Sequence, residues 1–108
     1  MKELSITENG AAFDYEPDQS GEVIDVKRAD YLENNITAVD DAIRDGAPVK
    51  SYFAWSLLDN FEWAEGYAKR FGIVHVDFKT MKRTPKASAR KYSEIIATKG
   101  ASLLAKRF

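Results

Sequence analysis

The order of apolar and polar positions divides the chain into segments of two different periods. Residues 4–7 form a short β-prone run with Leu4 and Ile6 two apart, the spacing of one strand face. Asn9-Gly10 follows, a pair that readily turns the chain, so the strand is expected to stop there. Residues 11–25 carry Asp14, Glu16, Pro17, Asp18, Gln19, Ser20 and Gly21 with little periodic apolar content, which predicts a surface loop. From Val26 the period changes. Ala29, Leu32, Ile36, Val39 and Ile43 recur at helical intervals, while Asp30, Glu33, Asn34, Asp40, Asp41 and Arg44 take the other face. Asp25 is the expected N-cap, Gly46 the expected C′ residue, and Pro48 prevents continuation. The apolar stripe is expected to pack on a core.

Residues 49–55 read Val-Lys-Ser-Tyr-Phe-Ala-Trp, β-branched and aromatic and of strand length. Strand, helix and strand in this order make a βαβ unit, right-handed if both strands share a sheet. Residues 56–70 are a long connection rich in large apolar groups (Leu57, Leu58, Phe61, Trp63, Tyr67) mixed with Asp59, Asn60, Glu62 and Glu65. Such a segment either folds over a core or lines a pocket. Residues 71–78 alternate loosely through Ile73, Val74, Val76 and Phe78 and predict another strand, with a turn at 79–82 and Arg83-Thr84 as a short antiparallel return. Thr84 is expected to cap a final helix with Pro85 at its first position. That helix runs through Ala89, Tyr92, Ile95 and Ile96 and ends at Gly100. Residues 101–108, with Leu103, Leu104 and Phe108, fit either an extension of it or a disordered tail. The fold class is therefore α/β: a βαβ unit, a short β-hairpin and a C-terminal helix, in one unit spanning residues 1–108.

Composition removes several function classes. The 108 residues include 16 Lys and Arg against 17 Asp and Glu, spread along the chain, and give no footprint for a nucleic-acid or polybasic membrane partner. The apolar share of 44% and charged share of 31% are those of an ordinary globular domain. The absence of cysteine excludes disulfides and thiol chemistry. No apolar run is long enough for a signal peptide or a bilayer span, so the expected location is cytoplasmic. His75 is the sole histidine and is expected to be a partly buried or edge structural residue, so no metal site is expected. There is no glycine-rich phosphate cradle, and no cofactor is expected.

Candidate chemistry begins at Glu8, where the first strand meets its turn. In parallel α/β proteins that junction is where catalytic groups are placed, although a carboxylate at a strand end is also simply a solvated group. Ile6-Thr7-Glu8-Asn9-Gly10 resembles the nucleophile motif of the family 1 glycoside hydrolases, the retaining β-glucosidases. The resemblance extends over roughly residues 5–97. Arg28-Ala29-Asp30-Tyr31-Leu32 through Ala42-Ile43 is similar to the family's seventh barrel helix, and Asp45-Gly46-Ala47-Pro48-Val49 to its approach to strand eight. Tyr52-Phe53-Ala54-Trp55-Ser56-Leu57-Leu58-Asp59-Asn60-Phe61-Glu62-Trp63 is the most specific stretch. Lys69-Arg70-Phe71-Gly72-Ile73, Val76-Asp77 and Arg83-Thr84-Pro85-Lys86 complete it. The implied fold is about a quarter of a (β/α)8 TIM barrel, whose whole takes about 250 residues.

The resemblance implies roles residue by residue. Glu8 matches the catalytic nucleophile. Trp55 matches the indole under the glycone, Glu62 the carboxylate that accepts from the 4- and 6-hydroxyls, and Trp63 the indole that reaches the 3-hydroxyl. Asn60 and Phe61 take supporting roles. The chemistry suits a pyranose, whose C–H faces meet an aromatic plane while its hydroxyls donate to a carboxylate. Glu62 would repel a phosphate, so a neutral sugar is expected rather than a 6-phosphorylated one. Asp59, Glu65 and Asp77 are expected to be loop and capping carboxylates.

A retaining glycosidase also needs an acid/base carboxyl about 5–5.5 Å from the nucleophile. The family carries it in an Asn-Glu-Pro motif, which this sequence lacks: Tyr15 precedes Glu16-Pro17, and that pair reads as loop chemistry. The tyrosine and the amino-terminal glycone ligands of the family are also absent. Met1-Lys2-Glu3 suggests a start placed just before barrel strand seven. The expectation is thus a carboxyl-terminal fragment of a β-glucosidase, inactive alone. Its expected partners are a β-glucoside or glucose and a complementary amino-terminal barrel fragment, and its bare edges favour self-association. The alternatives are a non-catalytic sugar-binding module and a structural barrel fragment that self-assembles.

Overall fold

The computed structural model describes residues 2–104. Strands β1 (Leu4–Asn9) and β2 (Val49–Ala54) pair in parallel, with helix α1 (Val26–Arg44) on the chain between them. The register sets Leu4 against Val49, Ser5 against Ser51, Ile6 against Tyr52 and Asn9 against Ala54, so the expected βαβ unit forms. β1 runs two residues further than expected. Asn9 is still in the ladder, its carbonyl accepting from Trp55 N–H at 2.8 Å. Asn9-Gly10 is therefore not a tight turn. Gly10 is there for a close approach: a Cβ would lie 1.8 Å from the Trp55 carbonyl oxygen.

The end of α1 follows its sequence signal. Gly46 has φ +102°, and the Gly46 and Ala47 amides donate to Ile43 and Ala42 carbonyls at 3.0 and 2.9 Å, a Schellman closure. Its start does not. Asp25 makes no side-chain cap bond to α1. Its carboxylate is buried and turned to α2 (Ala87–Ala97), accepting from the Ser88 amide at 2.8 Å and the Ser88 hydroxyl at 2.5 Å, and from Arg28 Nη1 at 2.6 Å. The cause is a bridge between Val23 and Lys86, which lays the residues before α1 alongside the first turn of α2. Asp25 thus caps a helix sixty residues away instead of its own.

Strands β3 (Val74–Val76) and β4 (Arg83–Pro85) form the expected antiparallel hairpin, with His75 opposite Thr84. Thr84 and Pro85 belong to β4, so neither starts the final helix; Lys86 is the N-cap position and its amide donates to Ile73 O. The strand expected over 71–78 shrinks to three residues because the backbone just before it is engaged elsewhere. Phe71 and Val74 carbonyls accept from Ser56 and Asp59, and the Ile73 and Val74 amides donate to Ser56 and Leu57. Asp77 ends β3 as a capping carboxylate, accepting from the Lys79 and Thr80 amides. α2 closes earlier than expected, through Lys99 at φ +53° and the Gly100 amide donating to Ile95 O. Residues 101–104 are then a separate turn, α3 (Ala101–Leu104), with Leu103 buried; the rest of the expected tail, 105–108, lies outside the described residues.

The core lies between the helices and the hairpin: Val23, Leu32, Val76, Ile95 and Leu103. α1 packs on α2, where Lys91 Nζ meets Glu33 Oε1 at 2.8 Å. The α1 stripe is only partly core. Leu32 is buried, whereas Ile43 is exposed along an open groove beside Lys99, Leu103 and Leu104. The radius of gyration is 15.1 Å and the extents 47 × 33 × 18 Å. A closed domain of this length has a radius of about 13 Å. The shape is that of a slab of wall, with Leu4 and Phe53 of the sheet exposed. Among the described residues no helix is long and apolar enough to cross a membrane.

Candidate active site

The carboxyl ends of β1 and β2 and the arch that follows β2 enclose a concavity of about 430 Å³, lined by Glu8, Asn9, Gly10, Trp55, Glu62 and Trp63. All four residues singled out by sequence are therefore brought together. The chain beyond Glu8 is held by side chains. Tyr52 O–H donates to Asn9 Oδ1 at 2.6 Å, Asn9 Nδ2 donates to Tyr31 Oη at 3.4 Å, and Tyr31 O–H donates to Gly10 O at 3.2 Å. Burial pushes the Tyr52 phenol up to about 12, with Tyr92 and Tyr31 adding to it, so this hydroxyl remains a donor across the working pH range.

On the opposite wall, Trp55 Nε1 points at Glu62 Oε2, 3.5 Å away. The Trp55–Ser56 peptide is cis. Trp63 opens a single 3₁₀ turn, Trp63–Glu65, with φ +45°, and the residue is 84% exposed. The turn is closed by the Glu62 amide donating to Gly66 O at 2.7 Å. Asn60 supports it from below, donating to Ser56 Oγ and Leu58 O at 3.2 and 3.0 Å. Phe61 lines a neighbouring concavity instead, edge-on to Tyr67. One edge of the Glu8 cavity is open. Glu16 is not among its lining residues: its carboxylate lies 3.7 Å from Arg70 Nε and 3.4 Å from His75 Nε2. His75 is more buried than an edge residue, and its Nε2 has no hydrogen-bond partner of good geometry.

Asp59 is more than a loop carboxylate. It is buried, and its two oxygens accept from Arg70 Nη1 at 2.6 Å, Lys86 Nζ at 3.0 Å, Gly72 N–H at 3.0 Å and Val76 N–H at 3.3 Å. Lys86 has no exposed surface at all. No periodicity marks a buried charge, and its only advance signal was that Asp59 sits within the most specific string of the chain. Burial alone would raise the Asp59 carboxyl, but the hydrogen bond and charge of Lys86 and the bond from Arg70 hold it below the ordinary carboxylate value. Burial and the charge of Arg28 lower Lys86, with Asp59 offsetting part of that. The signs follow from linkage. Asp59 contributes stability above its unfolded value of 3.8, and this is lost as pH falls through its lower folded value. The Lys86 penalty is relieved only as pH rises through its own lowered value. We expect the urea midpoint to fall steeply with pH below about 4, and less steeply in Asp59→Asn; equal slopes in titrations followed by circular dichroism would contradict this.

Against known proteins, the model of Glycosyl hydrolase family 1 matches residues 1–101. The chain belongs to this family. A 1,4-beta-D-glucan glucohydrolase of Thermotoga neapolitana is 58% identical over 99 residues, covering 92% of this chain and 22% of the relative. A 6-phospho-beta-galactosidase of Leptotrichia buccalis is 46% identical over 98 residues, covering 91% of this chain and 21% of that protein. Among solved structures, the beta-glucosidase from Thermotoga maritima in complex with deoxynojirimycin superposes with a TM-score of 0.89 at 55% identity, over 91% of this chain and 22% of the other. This family 1 chain thus spans about a fifth of the length of the relatives it matches. It corresponds to the carboxyl-terminal part of a β-glucosidase-type member, and β1, α1 and β2 are a piece of a TIM-barrel wall.

Proposed function

We propose that this chain supplies the nucleophile and one wall of the glycone subsite of a retaining β-glucosidase, with the acid/base carboxyl coming from a part of the barrel that this sequence does not contain. The observation that carries the reading is the convergence of Glu8, Trp55, Glu62 and Trp63 on one cavity at the carboxyl end of parallel strands, where barrel enzymes place their chemistry. Glu8 attacks the anomeric carbon. Trp55 stacks on the apolar face of the sugar, and Glu62 and Trp63 take its hydroxyls. The Trp55–Glu62 contact pre-sets the carboxylate. A neutral glucoside fits Glu62 better than a phosphorylated sugar, because the phosphate and the Glu62 carboxylate would be two anions in one site.

Binding comes first. One wall of a pocket gives weak affinity, so deoxynojirimycin or glucose should bind with Kd in the millimolar range or above, on the order of −4 kcal/mol. In a titration followed by tryptophan fluorescence, Trp63→Ala and Glu62→Ala should each weaken it several-fold. Tight binding that survives both changes would remove the sugar-site reading. The reaction is tested by complementation with a separately made chain covering the first six strands. The assembled barrel should hydrolyse a β-glucoside, and Glu8→Gln should lower kcat on the order of 10⁴-fold or more. Full activity in assembled Glu8→Gln would show that Glu8 is not the nucleophile.

A further inference from the structure

Glu62 and Trp63 sit on an arch whose two feet meet at one carboxylate. Asp59 opens the arch and Arg70 closes it, and their side chains bond at 2.6 Å. The same carboxylate takes Lys86 Nζ at the base of α2, the Gly72 amide on the returning chain and the Val76 amide of β3. The Asp59 amide donates to Val74 O at 3.0 Å. Arg70 Nη1 also donates to Val76 O at 2.9 Å, so each foot is fixed to the hairpin as well as to the other. Gly72 permits this: a Cβ there would lie 2.2 Å from the Asp59 amide nitrogen.

Between the feet, the hydrogen bonds of the arch are largely its own. Glu62 N–H donates to Gly66 O, Glu65 N–H to Glu62 O, Gly66 N–H to Trp63 O and Ala68 N–H to Glu65 O. Two residues hold left-handed backbone, Trp63 at φ +45° and Gly66 at φ +59°. For a tryptophan that conformation persists only where the surroundings impose it. A loop closed at its neck and bonded internally behaves as one body, and its orientation over the cavity is set by the neck. Three apolar residues would fill the space below it equally well and cost less desolvation. What a carboxylate adds is direction, because its two oxygens fix four donors from three parts of the chain.

We propose that Asp59, tied to Arg70 and Lys86, is a positioning residue that sets the arch so that Glu62 and Trp63 face Glu8 across the cavity; this rests on the reading of those two side chains as sugar contacts. The test uses the full chain carrying Asp59→Asn, which keeps the shape and removes the charge, with Lys86→Met as a second variant that removes one partner and leaves Asp59 in place. Amide hydrogen exchange and the Trp55 indole N–H resonance are measured in the folded protein. The expected result is that the Trp55 indole signal moves as the Glu62 carboxylate leaves it, and that the neck amide of residue 59, bonded to Val74 O, accelerates at least tenfold more than those of α1, while the Glu62 and Gly66 amides, bonded within the arch, keep their protection. Uniform acceleration, an unmoved Trp55 indole signal, or outright unfolding of both variants would overturn the proposal, since each describes a residue that holds the fold as a whole or nothing at the site. The sugar reading is judged separately. If Glu62→Ala leaves deoxynojirimycin binding by the otherwise unaltered chain unchanged, that reading fails, while the exchange data still decide whether Asp59 places the arch.

Discussion

Gly10→Ala should destabilise the chain by about 3 kcal/mol or more, the sum of a severe overpacking term and a lost ladder bond. The Cβ of alanine would lie 1.8 Å from Trp55 O and 2.9 Å from Trp55 C. Both are backbone atoms, so no side chain can swing aside. The strand ends must separate, and with them goes the bond from Trp55 N–H to Asn9 O. The same movement pulls Glu8 away from Trp55, so the cavity loses its shape even in molecules that stay folded. Gly21 makes the control. It also has positive φ, but nothing lies within 4 Å of a Cβ built on it, so Gly21→Ala carries only a backbone penalty of about 1 kcal/mol. Urea unfolding read by tryptophan fluorescence separates the two. A Gly10→Ala cost below that of Gly21→Ala would show that the strand ends are not in contact as described.

What the sequence disclosed, and what it hid, divide along the range of the interactions. Periodicity marks β1, α1 and the hairpin, and residue type and length mark β2, because each is set by neighbours a few residues apart. Gly46 closed α1 as read, since a C′ glycine is a local device. Asp25 departs from its local signal for the opposite reason. Its residue type and place before an apolar stripe are those of an N-cap, yet its partner is Ser88, 63 positions away, and only the Val23–Lys86 bridge brings them together. Thr84-Pro85 failed in the same way: a good helix start by local rule, overridden by pairing with β3. Asn9-Gly10 has the composition of a turn, yet its glycine serves an approach to a residue 45 positions on. At the candidate site, the resemblance singles out Glu8, Trp55, Glu62 and Trp63, and all four line one cavity, with their roles a proposal. The Asp59–Arg70–Lys86 cluster was not legible, because a buried ion network has no period and its members look like solvated surface charges until the fold is seen.

The isolated chain should not turn over an ordinary β-glucoside, whereas assembly with the missing strands should raise the rate by about 10⁴-fold or more. In the proposed reaction, attack by Glu8 on the anomeric carbon expels an alkoxide unless a proton reaches the leaving oxygen. No Asn-Glu-Pro glutamate exists in the sequence to deliver one. The second carboxylate on the cavity, Glu62, faces Trp55 Nε1 and in this reading accepts hydrogen bonds from the sugar's hydroxyls. Lost general acid help alone is worth about 10²–10⁴-fold. The sugar is also held on one side only, so much of the orientation that makes attack effectively intramolecular is missing, a term of comparable or larger size. A nitrophenyl glucoside distinguishes the two losses, because its leaving group departs without a proton. If acid help were the only deficit, the isolated chain would cleave the nitrophenyl substrate at close to the assembled rate. We expect it to remain near background, since the open cavity fails to hold the ring over Glu8. An isolated chain that cleaves either substrate at a tenth or more of the assembled rate would mean that these 108 residues already hold everything the reaction needs, and the division of the site between this chain and the rest of a barrel would be wrong.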